Sequence, residues 1–334
     1  MLEWADDLKL TGSRLYMDSR SPRELCFISH AHSDHLGLHR KSLATAVTAA
    51  LAERRIGPQP VDVFEPGAPP VSLPGDAETQ VALRHAGHVL GSAMLHVRRS
   101  EETLLYTGDF KLRSSLTVPA ADPVTADVLV MESTYGLPLF RFPPWQQVAE
   151  QLVDLASAAL RAGRQPIVLG YSLGKAQEIV RILTAAGLPV TCHGSVAAMN
   201  DIYQQHGVPM GVYRRYRVED FHGSAALDLA ERGVLVAPPQ TARSAFVTRF
   251  DNPCRIILTG WALFKNASYR YGVDHALPLS DHADFAELLE LIDRVQPKKI
   301  FTHHGYREFA QTLRDAGHNA TVAMPDRQLT LFGD

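Results

Sequence analysis

Cysteine is scarce. The chain has three in 334 residues, Cys26, Cys192 and Cys254, far apart and set in apolar runs such as Leu25-Cys26-Phe27-Ile28. Their odd number and wide spacing offer neither a disulfide framework nor a Cys-x-x-Cys metal knuckle; they read as buried thiols of a protein in a reducing cytosol. Long apolar runs are also missing, and none reaches the roughly 18 residues that cross a bilayer. The opening Met1-Leu2-Glu3-Trp4-Ala5-Asp6-Asp7 carries acids where a targeting signal would carry bases, so the expected location is cytoplasmic, with no membrane partner. There is no excess of positive charge: 33 Lys and Arg stand against 36 Asp and Glu, a net charge of -3. An all-over basic coat is thereby excluded, and a chain of this kind that handles nucleic acid needs a local basic groove or a metal. Internal repeats, low-complexity stretches and long linkers are absent as well.

What is there is a foldable composition, 46% hydrophobic and 21% charged, in a length that suits two compact units. Short apolar runs punctuated by Gly and Pro predict strands at Arg14–Met17, Leu25–Ile28, Gln80–Arg84, Ala93–Val97, Thr103–Tyr106 and Val128–Met131. The rhythm changes at Trp145. From there Trp145, Val148, Leu152, Leu155 and Ala159 fall three and four apart, on one face of a helix. Strands at Ile167–Leu169, Val190–Cys192, Val234–Ala237 and Ile256–Leu258 alternate with helices at Leu173–Ala186 and Val196–Gln205, the signature of a parallel sheet with covered faces. A helix over Asp284–Val295, with Phe285, Leu288, Leu289 and Ile292 inward, and a strand over Lys299–Thr302 follow. These stripes are core packing rather than cofactor boxes.

The chemistry concentrates in Ser29-His30-Ala31-His32-Ser33-Asp34-His35, three imidazoles and a carboxylate straight after a buried strand. Imidazole nitrogen and carboxylate oxygen suit Zn, Mn or Fe. His30 and His32, two apart on extended chain, point the same way, while Asp34 and His35 at the following turn can face a second point. Two neighbouring metals need further ligands from elsewhere in the chain. His88 in His85-Ala86-Gly87-His88, Asp109 in Tyr106-Thr107-Gly108-Asp109, and His304 in Thr302-His303-His304-Gly305 each close a strand beside glycine. Asp109 is placed to bridge two ions about 3.5 to 4 Å apart, the usual two-metal spacing.

These motifs together resemble the metallo-β-lactamase fold, and specifically its β-CASP nuclease branch. Asp18 after Leu15-Tyr16-Met17 resembles the fold's first acidic position. Glu132 in Met131-Glu132-Ser133-Thr134-Tyr135-Gly136 resembles motif A of the branch, His282 in Ser280-Asp281-His282-Ala283-Asp284 motif B, and His304-Gly305 motif C. Gly174-Lys175-Ala176-Gln177 resembles the Gly-(Arg/Lys)-Ala-Gln stretch of the inserted domain. The resemblance implies an αββα sandwich over residues 1–136 and 266–334, interrupted by a β-CASP α/β domain over 137–265. It further implies two divalent cations, zinc with manganese as the alternative. One is held by His30, His32 and His88, the other by Asp34, His35 and His304, with Asp109 joining them.

Asp18 would orient a ligand imidazole through its second nitrogen. The implied catalytic residues are Asp34, Asp109, Glu132 and His282, with His282 as general acid toward the leaving 3′ oxygen and Glu132 orienting it. Within the branch the closest resemblance is to bacterial ligase-associated DNA exonucleases, relatives of nucleases that process mRNA 3′ ends. The implied substrate is single-stranded or end-bearing DNA, in repair, with an ATP-dependent DNA ligase and a helicase as pathway neighbours. A ribonuclease of the same branch, a small-molecule hydrolase on the same metal core and a non-catalytic nucleic-acid scaffold are the alternatives. Lys175, Arg214, Arg215, Arg243, Ser244 and Arg270, with Tyr213, Tyr216, Arg217 and Lys265, are the expected substrate contacts, since interleaved arginine and tyrosine can neutralise phosphates and stack on bases.

Overall fold

The computed structural model describes residues 1–5, 7–221 and 226–323. The chain divides into two units. The first gathers 1–114, 118–141 and the chain from His282 onward; the second comprises 115–117 and 142–281.

Two sheets make the first unit. Strands β1 (Leu2–Ala5), β2 (Asp7–Leu10), β3 (Leu15–Met17), β4 (Leu25–Phe27), β5 (Ser42–Ala44) and β6 (Val61–Val63) lie side by side in chain order, parallel from β3 on. Helix α1 (Ala46–Ile56) crosses from β5 to β6, its amino end capped by the Thr45 hydroxyl. The next strands are β7 (Val71–Leu73), β8 (Asp76–His85), β9 (Ala93–Arg99), β10 (Glu102–Tyr106) and β11 (Val128–Ser133). They run antiparallel until β10, then parallel into β11.

Side chains in this second sheet sort by alternation. Leu95 and Val97, Leu104 and Tyr106, Val128 and Val130 point between the sheets, onto Leu15, Met17, Phe27 and Leu43. Met94, Leu105, Leu129 and Met131 point the other way. Because both faces are buried, these strands read as unbroken apolar runs.

The second unit is built around one parallel sheet. Its strands are β12 (Gln165–Leu169), β13 (Val190–Cys192), β14 (Arg214–Arg215), β15 (Val234–Ala237), β16 (Pro253–Leu258) and β17 (His275–Leu277), in the spatial order β14-β13-β15-β12-β16-β17. Helix α2 (Trp145–Arg161) precedes β12, and α3 (Lys175–Ala185), α4 (Gly194–Gln205), α5 (Leu229–Arg232), α6 (Ala245–Thr248) and α7 (Ala267–Tyr271) fall between the strands. Pairing of β17 with β16 keeps residues 266–281 in this unit. The return to the first unit therefore falls at 281/282, later than the 265/266 boundary expected from sequence.

Helix α8 (Phe285–Val295), strand β18 (Lys299–Gly305), helix α9 (Arg307–Asp315) and strand β19 (Ala320–Val322) complete the first unit. β18 slots between β11 and β19, and α8 and α9 cover the sheet's outer face with Phe285, Leu288, Leu291, Ile292, Phe309 and Leu313. The layers of the first unit are thus helix, sheet, sheet, helix, and the second unit is inserted between β11 and α8. All three cysteines are buried, and burial pushes the Cys192 thiol up to about 12. Among the described residues no helix is long and apolar enough to cross a membrane.

Candidate metal centre and active site

Except for His304, every candidate ligand sits on a turn that leaves a strand. Asp18 follows β3 with a left-handed backbone, φ 48°. Residues 29–35 follow β4, His88 sits in the β8–β9 turn, Asp109 follows β10, and His304 lies near the end of β18. Such loops on a rigid sheet edge place side chains well without disturbing the core.

His30, His32, His88 and Asp109 form one cluster, and Asp34, His35 and His304 another. In the first, His32 Nδ1 lies 3.1 Å from His30 Nε2 and 3.0 Å from His88 Nε2. Three nitrogens that close together suit a shared cation, since tetrahedral zinc sets its ligand nitrogens about 3.3 Å apart. Asp109 Oδ2 stands between the clusters, 3.5 Å from His30 Nε2, 3.8 Å from His88 Nε2 and 3.4 Å from His35 Nε2. His35 Nε2 is itself buried without a hydrogen-bond partner; Asp34 Oδ2 lies 3.6 Å away, and the His304 ring stacks on that of His35 with centroids 4.7 Å apart. An orphaned buried nitrogen facing two carboxylates is a donor awaiting an acceptor of electron pairs. The donor set therefore suits two divalent metals.

Partners behind the ligands fix which nitrogen faces inward. Asp18 Oδ2 takes His35 Nδ1 at 2.8 Å, together with the Ser29 hydroxyl at 2.5 Å and the Tyr106 hydroxyl at 2.7 Å, while Oδ1 takes the Ser29 N–H at 2.7 Å. Ser29 Oγ also lies 2.9 Å from His30 Nδ1. With their Nδ1 atoms so engaged, His30 and His35 present Nε2 to the centre. Gly108 permits this packing: a Cβ there would lie 2.5 Å from Ser29 Oγ. Ser29 and Tyr106 were not singled out from sequence; the available signals were a hydroxyl directly before the histidine motif and one phenol ending an aliphatic strand.

The tandem His303-His304 resolves structurally. The β11–β18 register shifts after Glu132↔His303, so that Ser133 pairs with Gly305 and His304 bulges out with φ 48°. His304 thereby joins Asp34 and His35, whereas His303 packs its ring against Tyr106, centroids 5.5 Å apart. Only glycine fits next, since a Cβ at Gly305 would fall 1.8 Å from the Ser133 carbonyl carbon.

Glu132 and His282 meet beside Asp109. Glu132 Oε2 lies 2.9 Å from His282 Nδ1 and Oε1 takes the Phe110 N–H at 2.7 Å, while the Phe110 carbonyl takes the Ala283 N–H at 2.7 Å. This loop of bonds ties the backbone after Asp109 to the backbone after His282. His282 Nδ1 is 3.9 Å from Asp109 Oδ2. Arg113 braces the same corner, ion-paired to Asp284 at 2.7 Å and Glu287 at 3.1 Å.

Burial disfavours charge throughout. It pushes His30 well below the usual imidazole range and raises Glu132, against the pull of His282. At His35 burial is overcome by Asp109, Asp34 and Asp18, which lift it well above that range. At Asp109 burial is overcome by His35 and His282, which hold the carboxyl well below its ordinary value.

The expected substrate contacts fare differently. Arg214 and Arg270 are exposed, as are Arg217 and Lys265. Arg215 is exposed but ion-paired with Asp201. Tyr213 turns its hydroxyl to Gln204 Oε1 at 3.2 Å. Ser244 caps α6, its hydroxyl donating to the Thr241 carbonyl at 2.8 Å. Arg243 closes a 3-10 turn, and its side chain lies outside the described residues. Two expectations are overturned. Lys175 is 1% exposed and ion-paired with Asp281 at 2.9 Å, out of reach of a phosphate. The Tyr216 ring is half-buried, packed on Phe221 and Phe246 against the core of the second unit, and is not an open stacking platform.

A family model described as a Zn-dependent metallo-hydrolase RNA specificity domain matches residues 270–324. Over 95% of its length the chain is 38% identical to a probable DNA ligase of Opitutus terrae, of which it spans 30%. An RNase J-like protein of Methanocaldococcus jannaschii is 25% identical over 69% of the chain and 65% of the relative. The DNA cross-link repair protein SNM1 of Arabidopsis thaliana is 26% identical over 82% of the chain and 59% of the relative. A crystal structure of a protein of unknown function from Enterococcus faecalis V583 superposes with a TM-score of 0.56 at 17% identity, covering 84% of this chain and 75% of that one, a likeness of fold.

Proposed function

Since the chain belongs to the β-CASP family of the metallo-β-lactamase fold, we propose that it is a two-metal phosphodiesterase that degrades DNA from an end, in repair alongside a DNA ligase. The observation that carries the reading is the Glu132–His282 pair, 2.9 Å apart, beside Asp109, whose Oδ2 lies 3.5 Å from His30 Nε2 in one cluster and 3.4 Å from His35 Nε2 in the other. A thioesterase or lactonase needs no proton donor for a nucleotide leaving group, and a scaffold needs no such ligand set. Identity to the probable DNA ligase over 95% of this chain supports DNA as substrate.

His30, His32 and His88 would hold one cation, Asp34, His35 and His304 the other, and Asp109 both; zinc is proposed, with manganese the alternative. When bound, the two cations would supply an acidified water and a neutralised phosphodiester. Asp18 and Ser29 keep the imidazoles turned Nε2-inward. Glu132 accepts from His282 Nδ1 and so orients the ring, leaving Nε2–H to protonate the departing 3′ oxygen. The domain that carries Arg214 and Arg270 would supply phosphate contacts.

The RNA reading of the same site is favoured by the family model over 270–324, described as an RNA specificity domain, and by the RNase J-like relative. End-labelled single strands of DNA and RNA of one sequence, with zinc or manganese, separate the two. The DNA reading expects faster loss of DNA, with mononucleotides released from one labelled end. Preference for RNA would replace it, and inertness toward both would remove the nuclease reading.

A further inference from the structure

The Gly174-Lys175-Ala176-Gln177 stretch holds a buried cation that the chemistry above does not use. Lys175 opens α3 and is 1% exposed. Its stem passes over Gly170, where a Cβ would crowd Lys175 Cγ at 3.1 Å and Ile179 Cδ1 at 2.5 Å. The turn before it is stapled: Gly174 N–H donates to Gln177 Oε1 at 2.8 Å, and Gln177 Nε2 donates to Asn200 Oδ1 at 2.9 Å. Burying an ammonium is unfavourable unless a counter-charge is fixed beside it. That counter-charge is Asp281, 2.9 Å away and itself 7% exposed.

Asp281 is the residue before His282, and residues 278–284 lie outside helix and strand. Irregular chain lacks a repeating hydrogen-bond ladder, so its position rests on individual anchors. After His282 the anchors are the Ala283 N–H on the Phe110 carbonyl at 2.7 Å and the Asp284 side chain capping α8. Before it, Lys175 holds Asp281, and the Leu279 N–H donates to the Leu277 carbonyl at 3.0 Å.

We propose that Lys175 is a positioning residue for His282, its buried ammonium holding Asp281 and so fixing the main chain that presents the imidazole to Glu132. The proposal rests on the nuclease reading only for its kinetic arm. Displacement of a proton donor by an ångström lowers turnover about 100-fold while leaving substrate affinity alone. A phosphate-binding lysine behaves otherwise, its loss weakening binding and reducing the salt slope by about one.

The test uses the full zinc-loaded chain with Lys175→Met, and the double variant Lys175→Met/Asp281→Asn, which leaves no unpaired buried charge should the single variant fail to fold. The expected result is kcat lowered about 10- to 100-fold, KM and the salt dependence of strand binding unchanged, and no further loss when Lys175→Met is added to His282→Ala. In 15N-histidine spectra the His282 ring resonances that report its bond to Glu132 should move in both variants. Unmoved His282 resonances, or a raised KM and a shallower salt slope with kcat intact, would overturn the proposal. Were the wild-type chain inert on both DNA and RNA, the nuclease reading would fall while the resonances still decided this one.

Discussion

At the residue scale, His282 and Asp18 do different work and should fail differently. His282→Ala would remove the proposed proton donor and none of the proposed metal ligands. Turnover is expected to drop by roughly two to four orders of magnitude with metal content unchanged by mass spectrometry; full activity would reduce His282 to a structural role. Asp18→Ala leaves every ligand in place but releases His35 Nδ1 and the Ser29 and Tyr106 hydroxyls. Metal affinity should weaken about 10- to 100-fold, read by competition with a chromophoric chelator. The clustering of His30, His32, His88 and Asp109, and of Asp34, His35 and His304, was legible in the sequence because two-metal chemistry requires His and Asp in quantity and no core does. Ser29 and Tyr106 were not, since a hydroxyl that supports a ligand looks like any other. Lys175 was misread for a related reason: charge in a sequence suggests solvent, and nothing local shows that Asp281, more than a hundred residues on, will bury it.

Strands and helices with two apolar faces or a clean stripe were equally legible. The runs 103–106, 128–131 and 190–192 are strands in the structure, and α2, α3, α4 and α8 stand where periodicity puts them. Elements without such a pattern escaped. Helix α1 is a small-residue, weakly sided segment, Ala-Val-Thr-Ala-Ala-Leu-Ala, and α9 is polar around most of its girth, burying only Phe309, Ala310 and Leu313.

One testable joint at this scale is Asp127, which ties the starts of β10, β11 and β18. It receives Lys298 Nζ at 2.7 Å, Thr103 Oγ1 at 2.8 Å and Thr103 N–H at 2.9 Å. The Lys298 and Thr103 bonds depress its carboxyl to about 2, below the roughly 3.9 of an unfolded chain. Its stabilising contribution is then fully present above about pH 4 and lost as pH falls through 2. In urea titrations at stepped pH, the wild type should lose stability over that window more steeply than Asp127→Asn; parallel curves would remove the linkage.

For the whole molecule, the metals should matter to folding as well as to chemistry. The His30, His35 and His88 side chains are fully enclosed, and ions that bind only the folded state stabilise it by mass action. Chelation is expected to lower Tm, and zinc or manganese to restore it. A chain that purifies without ions, melts unchanged in chelator and takes up none on titration would undo the two-metal assignment.

The unit that carries the ligands is stitched from separated stretches of chain, with its last ligand, His304, on a strand made after the entire insertion. On the ribosome, a nascent polypeptide can assemble His30, His32, His88 and Asp109 early, yet must wait for β18 before the second cluster exists. Synthesis order thus sets assembly order: an unfinished copy stalled anywhere in the insertion carries the first cluster alone, without His304 and without His282.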